Sequence, residues 1–445
     1  MKKKLLLLLP AFVFAQSFII SNIPLPKTYI QNLSPLECNT YCMQNYLDNG
    51  QVFSFLAYAG SKLKDAKQNE ARELFVPIFN LGSIHNSKQL KIALLLPYKK
   101  IGKYASSVTN ASLAYLMTKG HPFMLKSYKI ESENIEDLSS VIKRIHKDGF
   151  EYIIAPLTHT GAKNISNLDP TIHIYFPTIN KQDSNSTSPY FIFGAIDYHA
   201  QSNLLLKEAY EPLVIFSDKS KIGKALAAYQ REEFSYSSID DLGSSSLFGN
   251  TFSIFSQINE ESNKPIKQTT KEILNYSVSR RTTNLESYLK ENEKIADATI
   301  IVNTPIIKTG MILSQLTLYD VNETNILSTQ INYDPLLLSM TQYIDRKEMV
   351  IANSITEHNN ILIETNALLG NDIEYDWINY TTTIGIDYFY SLITGDERTY
   401  NIKIKDNQML YDIELLQPGR SQFVRYIRPT RERDFMQKEQ REEDQ

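Results

Sequence analysis

The stretch from Leu90 to Thr158 constrains the fold of this chain more than any other. Three short apolar runs, LKIALLLP, FMLKSYKI and EYIIAPLT, alternate with two amphipathic segments, and turn-forming residues bound each run. Apolar strands that alternate with helical segments predict an α/β fold with a parallel sheet covered by helices on both faces. Ligands of such sheets bind outside the carboxyl ends of the strands, near a switch point in the topology. We therefore expect any ligand-binding residues of this chain to follow the carboxyl ends of its strands.

The first 15 residues predict a secretory signal peptide. Residues 2–4 are lysines, residues 5–14 are apolar, and Val13-Phe14-Ala15 forms a small-residue cleavage site before Gln16. The apolar run is too short for a membrane span, which needs about 20 residues as a helix. No cysteine stands at the cleavage point, so we expect no lipid anchor. We expect the mature chain to be exported and without a transmembrane segment.

The charge balance argues against a nucleic-acid partner. Removing residues 1–15 takes away three lysines and changes the formal net charge from −4 to −7. Phosphate backbones are bound by clustered lysine and arginine, and a mildly acidic chain without a basic stripe lacks such a cluster. We therefore expect no nucleic-acid binding.

The only two cysteines, Cys38 and Cys42, fall in one short segment. In an exported protein such a pair is more typical of a disulfide than of a metal site, and no further cysteine or nearby histidine completes a zinc site. A separation of four residues places the Cα atoms near the upper end of the range that a disulfide tolerates. We therefore expect the bridge where a first helical turn is irregular, with little entropic stabilisation from so small a loop. We expect no metal and no cofactor.

The length of 445 residues suits two or three domains. Residues 16–85 are expected to form a small helical N-terminal extension, helical from about Ser34, which either packs on the main body or binds a partner. Residues 88–428 hold two successive series of strands and helices, which predict two lobes. We expect lobe 1 to contain about 88–196 plus part of 334–360, and lobe 2 about 211–330 plus 361–428. The charged tail 429–445 is expected to be disordered.

The second series is predicted from apolar runs and capping residues. The expected strands lie at 211–220, 250–258, 296–304, 326–333 and 349–355. The expected helices of this series lie at 221–234, 280–292 and 305–320 (with Pro305 at the first position). A helix is expected before the series at 197–210, and a long helix after it at 376–394. Asp406-Asn407 predicts the turn of a hairpin.

The order of several motifs resembles the type I periplasmic binding protein superfamily, and most closely the periplasmic-binding-like domain of the LpoA family of penicillin-binding-protein activators. The motifs are KIALLLPYKKIGKYASSVTNASLAYL, EYIIAPLTHTGAKNI, FIFGAIDYHAQSNLL, EPLVIFSDKSKIGKALAAYQREEF and GIDYFY, and together they cover about 88–428. The resemblance implies two doubly wound parallel sheets joined by three crossovers. Two departures stand out: Gln16 replaces the acylated cysteine of the activators, and residues 98–102 lack the Ser-Gly-Pro type loop of many solute-binding proteins.

Six residues at strand ends are the candidate ligand-binding residues of this architecture: Tyr98, Thr158, His159, Thr160, Asp197 and Tyr198. If a ligand binds, Thr158 and Thr160 would hold its carboxylate at a helix N-terminus, and Asp197 would hold an amino group. The alternative is structural, because Thr158 and Asp197 are both ordinary helix N-caps.

Catalysis is the least supported class of function. The sequence contains no G-x-S-x-G, Walker A, Rossmann glycine pattern or H-E-x-x-H, and its seven histidines are scattered. The resemblance to penicillin-binding-protein activators, the unusual loop 98–102 and the N-terminal helices together imply a non-catalytic periplasmic regulator or scaffold that acts through envelope proteins, in cell-wall synthesis or an envelope machine. The alternative is a receptor that binds an amino acid or similar small molecule in an interlobe cleft and feeds a membrane transporter. A third hypothesis is a hydrolase that uses a pair of carboxylates in the cleft.

Overall fold

The computed structural model describes residue 28 and residues 30–79, 81, 90–119, 121–184, 186–240 and 272–428. The predicted signal peptide, the predicted strand at 250–258 and the charged tail 429–445 lie outside these residues. No helix among the described residues is long and apolar enough to cross a membrane.

The described strands form two sheets of seven strands each. The strands are β1 (Leu90–Leu96), β2 (Phe123–Lys129), β3 (Tyr152–Ile154), β4 (His173–Phe176), β5 (Phe191–Phe193), β6 (Leu213–Asp218), β7 (Ile273–Val278), β8 (Ala298–Asn303), β9 (Glu323–Ser328), β10 (Met349–Asn353), β11 (Lys403–Lys405), β12 (Gln408–Leu410), β13 (Glu414–Pro418) and β14 (Phe423–Arg425).

Both sheets have the same doubly wound arrangement. The first has the order β11-β12-β5-β4-β3-β1-β2 and the second the order β14-β13-β10-β9-β8-β6-β7. The first five strands of each series pair in parallel, as expected. The pairs β11–β12, β10–β13 and β13–β14 are antiparallel, so the sheets are mixed rather than purely parallel. Because antiparallel strands need only short connections, this C-terminal part of the chain can supply short edge strands.

The described residues form sixteen α-helices, and most of them lie between parallel strands. They are α1 (Thr40–Asp48), α2 (Val52–Tyr58), α3 (Ala66–Ile78), α4 (Tyr98–Ile101), α5 (Tyr104–Met117), α6 (Ile135–Lys147), α7 (His159–Leu168), α8 (Lys181–Ser184), α9 (Tyr198–Leu206), α10 (Lys221–Asp240), α11 (Glu286–Leu289), α12 (Ile306–Leu318), α13 (Pro335–Met340), α14 (Tyr343–Arg346), α15 (Asn360–Leu368) and α16 (Trp377–Thr394). Pro305 is the N-cap of α12 rather than its first residue.

The chain divides into two compact units. The first contains residues 1–194, 364–371 and 382–399, and the second contains residues 195–363, 372–381 and 400–445. These units differ from the expected lobes in two places. Residues 334–360 lie in the second unit, because β10 pairs in parallel with β9 and so belongs to the second sheet. Residues 364–371 and 382–399, expected in lobe 2, lie in the first unit. Sequence periodicity identifies a strand but does not specify the sheet that it joins.

The N-terminal helices belong to the first unit. Helices α1, α2 and α3 pack around a small core of Phe55, Leu56 and Ala59. Gln31, which precedes α1, bonds to the first sheet. Its side chain accepts from Leu125 N (3.2 Å) and donates to Phe123 O (2.6 Å), both on the edge strand β2. The side chain of Gln31 thus satisfies backbone groups that an edge strand would otherwise leave unpaired.

Two local predictions are confirmed. Cys38 and Cys42 form a disulfide, and Cys38 precedes α1 while Cys42 lies in its first turn. Asp406 and Asn407 connect β11 to β12 with φ values of 50° and 64°. Asn and Asp tolerate this left-handed backbone better than other side chains, which is why the pair predicts such a turn.

Candidate functional site

The candidate residues of the first unit follow the two strands that flank its switch point. In the order β2-β1-β3 the chain connections reverse direction between β1 and β3. Tyr98 begins α4 two residues after β1, and Thr158 caps α7 four residues after β3. Because parallel strands end at the same edge of a sheet, both residues lie at the edge where ligands of α/β proteins bind.

Thr158 is bonded to a carboxylate, and that carboxylate belongs to the chain itself. The backbone N–H of Thr158 donates to Glu133 Oε1 at 2.9 Å, and its hydroxyl donates to Glu133 Oε2. The hydroxyl oxygen also accepts from Gly161 N at 3.5 Å, as an N-cap should. Glu133 is only 5% exposed. The position predicted for a ligand carboxylate is therefore occupied by Glu133.

The first turn of α7 is shaped to admit this carboxylate. A Cβ atom added to Gly161 would lie 2.8 Å from Glu133 Cδ and 2.9 Å from Glu133 Oε1, so a larger residue would displace the glutamate. Asn164, one turn further, donates to Glu133 O at 2.7 Å. The N-terminus of a helix favours negative charge because its first N–H groups point outward. The buried charge of Glu133 is thus compensated within the first unit.

The loop that carries Glu133 is held in place by the start of the next helix. Asn134 caps α6 by accepting from Asp137 N at 2.8 Å, and Ser132 Oγ donates to Asp137 Oδ2 at 2.7 Å. The backbone on both sides of Glu133 is therefore fixed by local hydrogen bonds. Sequence reasoning missed Glu133, although a glutamate directly before an N-cap at a strand end is a signal that could have been weighed.

The other candidates of the first unit are less enclosed. Thr160 is exposed, and so is His159, whose Nδ1 lies 4.0 Å from Asp183 Oδ2. Tyr98 is half-buried, and burial raises the pKa of its hydroxyl while Lys129 opposes the shift. Among the described residues, no hydrogen bond or ion pair joins these three side chains to Glu133.

An exposed charge cluster lies next to Tyr98. Lys99 Nζ is 2.6 Å from Glu131 Oε2, and Lys129 Nζ is 2.9 Å from Glu131 Oε1. Hydrogen bonds from these two lysines lower the pKa of Glu131 to about 2. The cluster therefore keeps a negative charge between two positive ones across the physiological range.

The candidates of the second unit have structural roles. Asp197 caps α9, and its Oδ1 accepts from His199 N at 2.9 Å and from Ala200 N at 3.0 Å. Tyr198 packs edge-on against Trp377 at 6.4 Å between ring centroids. The carboxylate proposed to hold an amino group thus already serves as the N-cap of α9.

The strand ends of the second unit are occupied by buried amides. Gln201 Nε2 donates to Ser354 Oγ at 2.7 Å and to Gln330 Oε1 at 3.1 Å, and Gln330 Oε1 also accepts from Ser354 N at 2.8 Å. Nearby in the same unit, Asn303 Nδ2 donates to Gln230 Oε1 at 2.6 Å. We call these five residues the amide network. Their burial depends on tertiary packing, and no periodicity in the sequence indicates it.

Three polar atoms beside this network have no hydrogen-bond partner. They follow the end of β9 and are Thr329 Oγ1, Gln330 Nε2 and Asn332 Oδ1. All three residues are at most 3% exposed. Buried polar atoms are normally paired with protein or ordered water, so this group has unused hydrogen-bonding capacity.

The second unit also places a carboxylate in the first turn of a helix. Asp218, at the end of β6, accepts from Ser220 N (3.2 Å) and Ser220 Oγ (2.5 Å). A Cβ atom on Gly223 in α10 would lie 2.2 Å from Asp218 Oδ1. In each unit, a helix that follows a strand beside the switch point therefore packs a glycine against an acidic side chain of this chain. No group of three or more metal-ligating side chains is present among the residues that the structure describes.

Comparison with known proteins shows the fold. No protein-family model matches the chain, and no curated protein matches its sequence. Among solved structures, the isoleucine complex of LivJ from Streptococcus pneumoniae is similar, with 10% identity and a TM-score of 0.50 over 77% of this chain and 100% of that one. A putative branched-chain amino acid transporter protein from Rhodospirillum rubrum has 10% identity and a TM-score of 0.52 over 76% and 100%.

LpoA from Haemophilus influenzae is also similar, with 9% identity and a TM-score of 0.48 over 88% of this chain and 72% of that one. The fold is that of type I periplasmic binding proteins, as the sequence motifs predicted. At these identities the likeness extends to the fold and leaves function to be argued from the site.

Proposed function

We propose that this chain is a non-catalytic periplasmic protein that acts through protein partners in the cell envelope, as a regulator or scaffold of cell-wall synthesis or of an envelope machine. One observation carries the proposal. Glu133 occupies the N-terminus of α7, where this architecture would otherwise bind the acidic group of a ligand. A receptor for an amino acid needs that position to be open.

Charge and geometry make replacement of Glu133 by a ligand unfavourable. An incoming carboxylate would have to break two hydrogen bonds to Thr158 and leave the buried Glu133 charge without partners. An unpaired buried charge is strongly destabilising, by about 3–5 kcal/mol. The order of sequence motifs, which resembles penicillin-binding-protein activators, supports a role in cell-wall synthesis.

A thermal-shift screen tests the proposal. The protein, purified without unfolding, is heated alone and with each common amino acid and small peptide, and native mass spectrometry checks for a co-purified metabolite. We expect no shift and no bound metabolite. A ligand at a hundredfold excess over its dissociation constant would stabilise the native state by ~2.7 kcal/mol, and such a shift would contradict the proposal.

The partner itself is sought by crosslinking in intact cells. Crosslinked complexes are purified under denaturing conditions and identified by mass spectrometry. We expect a specific envelope protein to be recovered reproducibly. Failure to recover one, together with a bound small metabolite, would favour the receptor.

The receptor for a small molecule remains the second candidate because of one observation. The unpaired atoms of Thr329, Gln330 and Asn332 offer one donor, one acceptor and one hydroxyl in a buried position. A neutral polar molecule could use them, whereas an amino acid would still lack a place for its carboxylate. A thermal shift with an uncharged polar solute only would support this candidate.

A further inference from the structure

The Cys38–Cys42 bridge does not link separate parts of the fold. The two residues are four positions apart with Cα atoms 5.3 Å apart, so the bond closes about one helical turn. A disulfide stabilises a protein mainly by restricting the unfolded chain, and the effect grows with the length of the closed loop. So short a loop contributes little stability, and the bridge joins α1 to no second element. A role other than structural support is therefore worth seeking.

Contacts that do not involve sulfur hold both sides of the bridge. On the N-terminal side, Tyr58 Oη donates to Leu36 O at 3.0 Å. On the C-terminal side, the buried Gln68 donates from Nε2 to Thr40 O at 2.8 Å. Both donors belong to other helices of the N-terminal group. If the disulfide were reduced, these bonds would keep the two thiols near each other.

The two sulfurs have different surroundings. Cys42 is the third residue of α1, and its N–H is capped by Asn39 Oδ1 at 3.0 Å, whereas Cys38 lies before the helix. A thiol at a helix N-terminus ionises more easily than an ordinary one. Both cysteines are partly exposed, and the neighbouring Glu37 and Tyr41 are exposed. A reagent can therefore approach the bridge from solvent.

We propose that Cys38–Cys42 is a reversible thiol–disulfide exchange site, and its reaction partner is a protein dithiol of the oxidoreductase class. A thiolate of that dithiol attacks Cys38 Sγ, the Cys38–Cys42 bond breaks, and Cys42 leaves as a thiolate. The second thiol of the partner then attacks the mixed disulfide and releases Cys38. Two electrons and two protons pass to this chain, and the partner becomes a disulfide. Cys42 is the leaving group because the more acidic thiol leaves faster.

The first test is a redox titration of the intact mature protein. Samples are equilibrated with graded mixtures of reduced and oxidised glutathione, quenched in acid, alkylated and weighed by mass spectrometry. We expect the bridge to pass from oxidised to reduced within the glutathione series, while near-ultraviolet circular dichroism stays unchanged. A bridge that remains oxidised until denaturant is added would overturn the proposal.

The second test compares the two thiols in the reduced protein. Limited alkylation followed by peptide mapping measures the rate at each cysteine near neutral pH. We expect Cys42 to react about tenfold faster than Cys38, because a helix N-terminus favours its thiolate. The Asn39→Ala variant keeps both cysteines but removes the helix cap, so it should narrow the difference. Equal rates in the unaltered protein would contradict the proposal.

Discussion

The strand ends of the two units are filled in different ways. The first unit uses one charged side chain, Glu133, whose two oxygens each accept a hydrogen bond from Thr158. The second unit uses the neutral amide network, beside which three polar atoms stay unpaired. A buried charge is tolerated only when it is fully paired, whereas neutral amides can leave a donor or acceptor unused at smaller cost. Glu133 thus uses both of its carboxylate oxygens within the first unit, whereas the second unit keeps polar atoms that could bind a further group.

The largest loss of stability is expected when the hydrogen bonds between Glu133 and Thr158 are removed. Glu133→Ala leaves the two donors of Thr158 without this acceptor, and we expect it to destabilise the first unit by about 3 kcal/mol, since a hydrogen bond to a charged group contributes about 1.5–3 kcal/mol. Glu133→Gln keeps an acceptor oxygen and should cost about half as much. Urea unfolding measures both. The matched control is Glu136→Ala, an exposed glutamate in the first turn of α6, for which we expect less than about 1 kcal/mol. Equal effects at the two positions would show that Glu133 is not a buried contact.

The corresponding change in the second unit should be smaller. Gln330→Ala removes the oxygen that accepts from Gln201 Nε2 and Ser354 N, and we expect a loss of about 2 kcal/mol in urea unfolding. Asn275→Ala, on the exposed side of β7, is the control and should change stability by less than ~0.5 kcal/mol. If Gln330→Ala were more harmful than Glu133→Ala, the contrast between the charged and the neutral strand ends would fail.

For the unpaired atoms beside the amide network we expect a substitution to maintain or raise stability rather than lower it. Thr329→Val replaces a buried hydroxyl that has no partner with a methyl group of the same shape, so it should leave stability unchanged or raise it by up to about 1 kcal/mol. Differential scanning calorimetry measures the change. A clear loss of stability would contradict the absence of a partner for this hydroxyl and would indicate a bond to an ordered water or to a bound molecule.

The smallest effect concerns pH and lies in the first unit. His173, at the start of β4, stacks on Tyr152 at 5.1 Å between centroids, and burial lowers the pKa of its imidazole, while Glu151 opposes the shift. A lowered pKa means that the unfolded chain binds more protons. The stability contribution is therefore present above about pH 6.5, the usual pKa of histidine, and is lost as the pH falls from there through the lower pKa of the folded state.

Proton NMR of the His173 imidazole tests this directly. We expect a midpoint below that of a histidine in a short peptide, and Tyr152→Ala should move it back toward that value because the ring becomes more exposed. An unshifted midpoint in the unaltered protein would contradict the burial of His173.

The sequence predicts most of the parallel part of both sheets because its apolar runs are long and bounded by caps and turns. Thr158 and Asp197 are recognisable as N-caps for the same local reason. Strand β7 escaped prediction because its residues alternate only weakly. Glu133 and Gln330 escaped because their partners lie 25 residues away or more along the chain. Local pattern thus indicates where a strand ends, and only tertiary contacts show what occupies its end.

The claim that Glu133 occupies the N-terminus of α7 is tested most directly by hydrogen exchange at the backbone N–H of Thr158, measured by NMR. This N–H donates to a side chain that is almost fully buried. We expect slow exchange in the unaltered protein, much faster exchange in Glu133→Ala, and no change when amino acids are added to the unaltered protein. Exchange as fast as that of exposed amides, or protection that appears only with an added amino acid, would contradict the account.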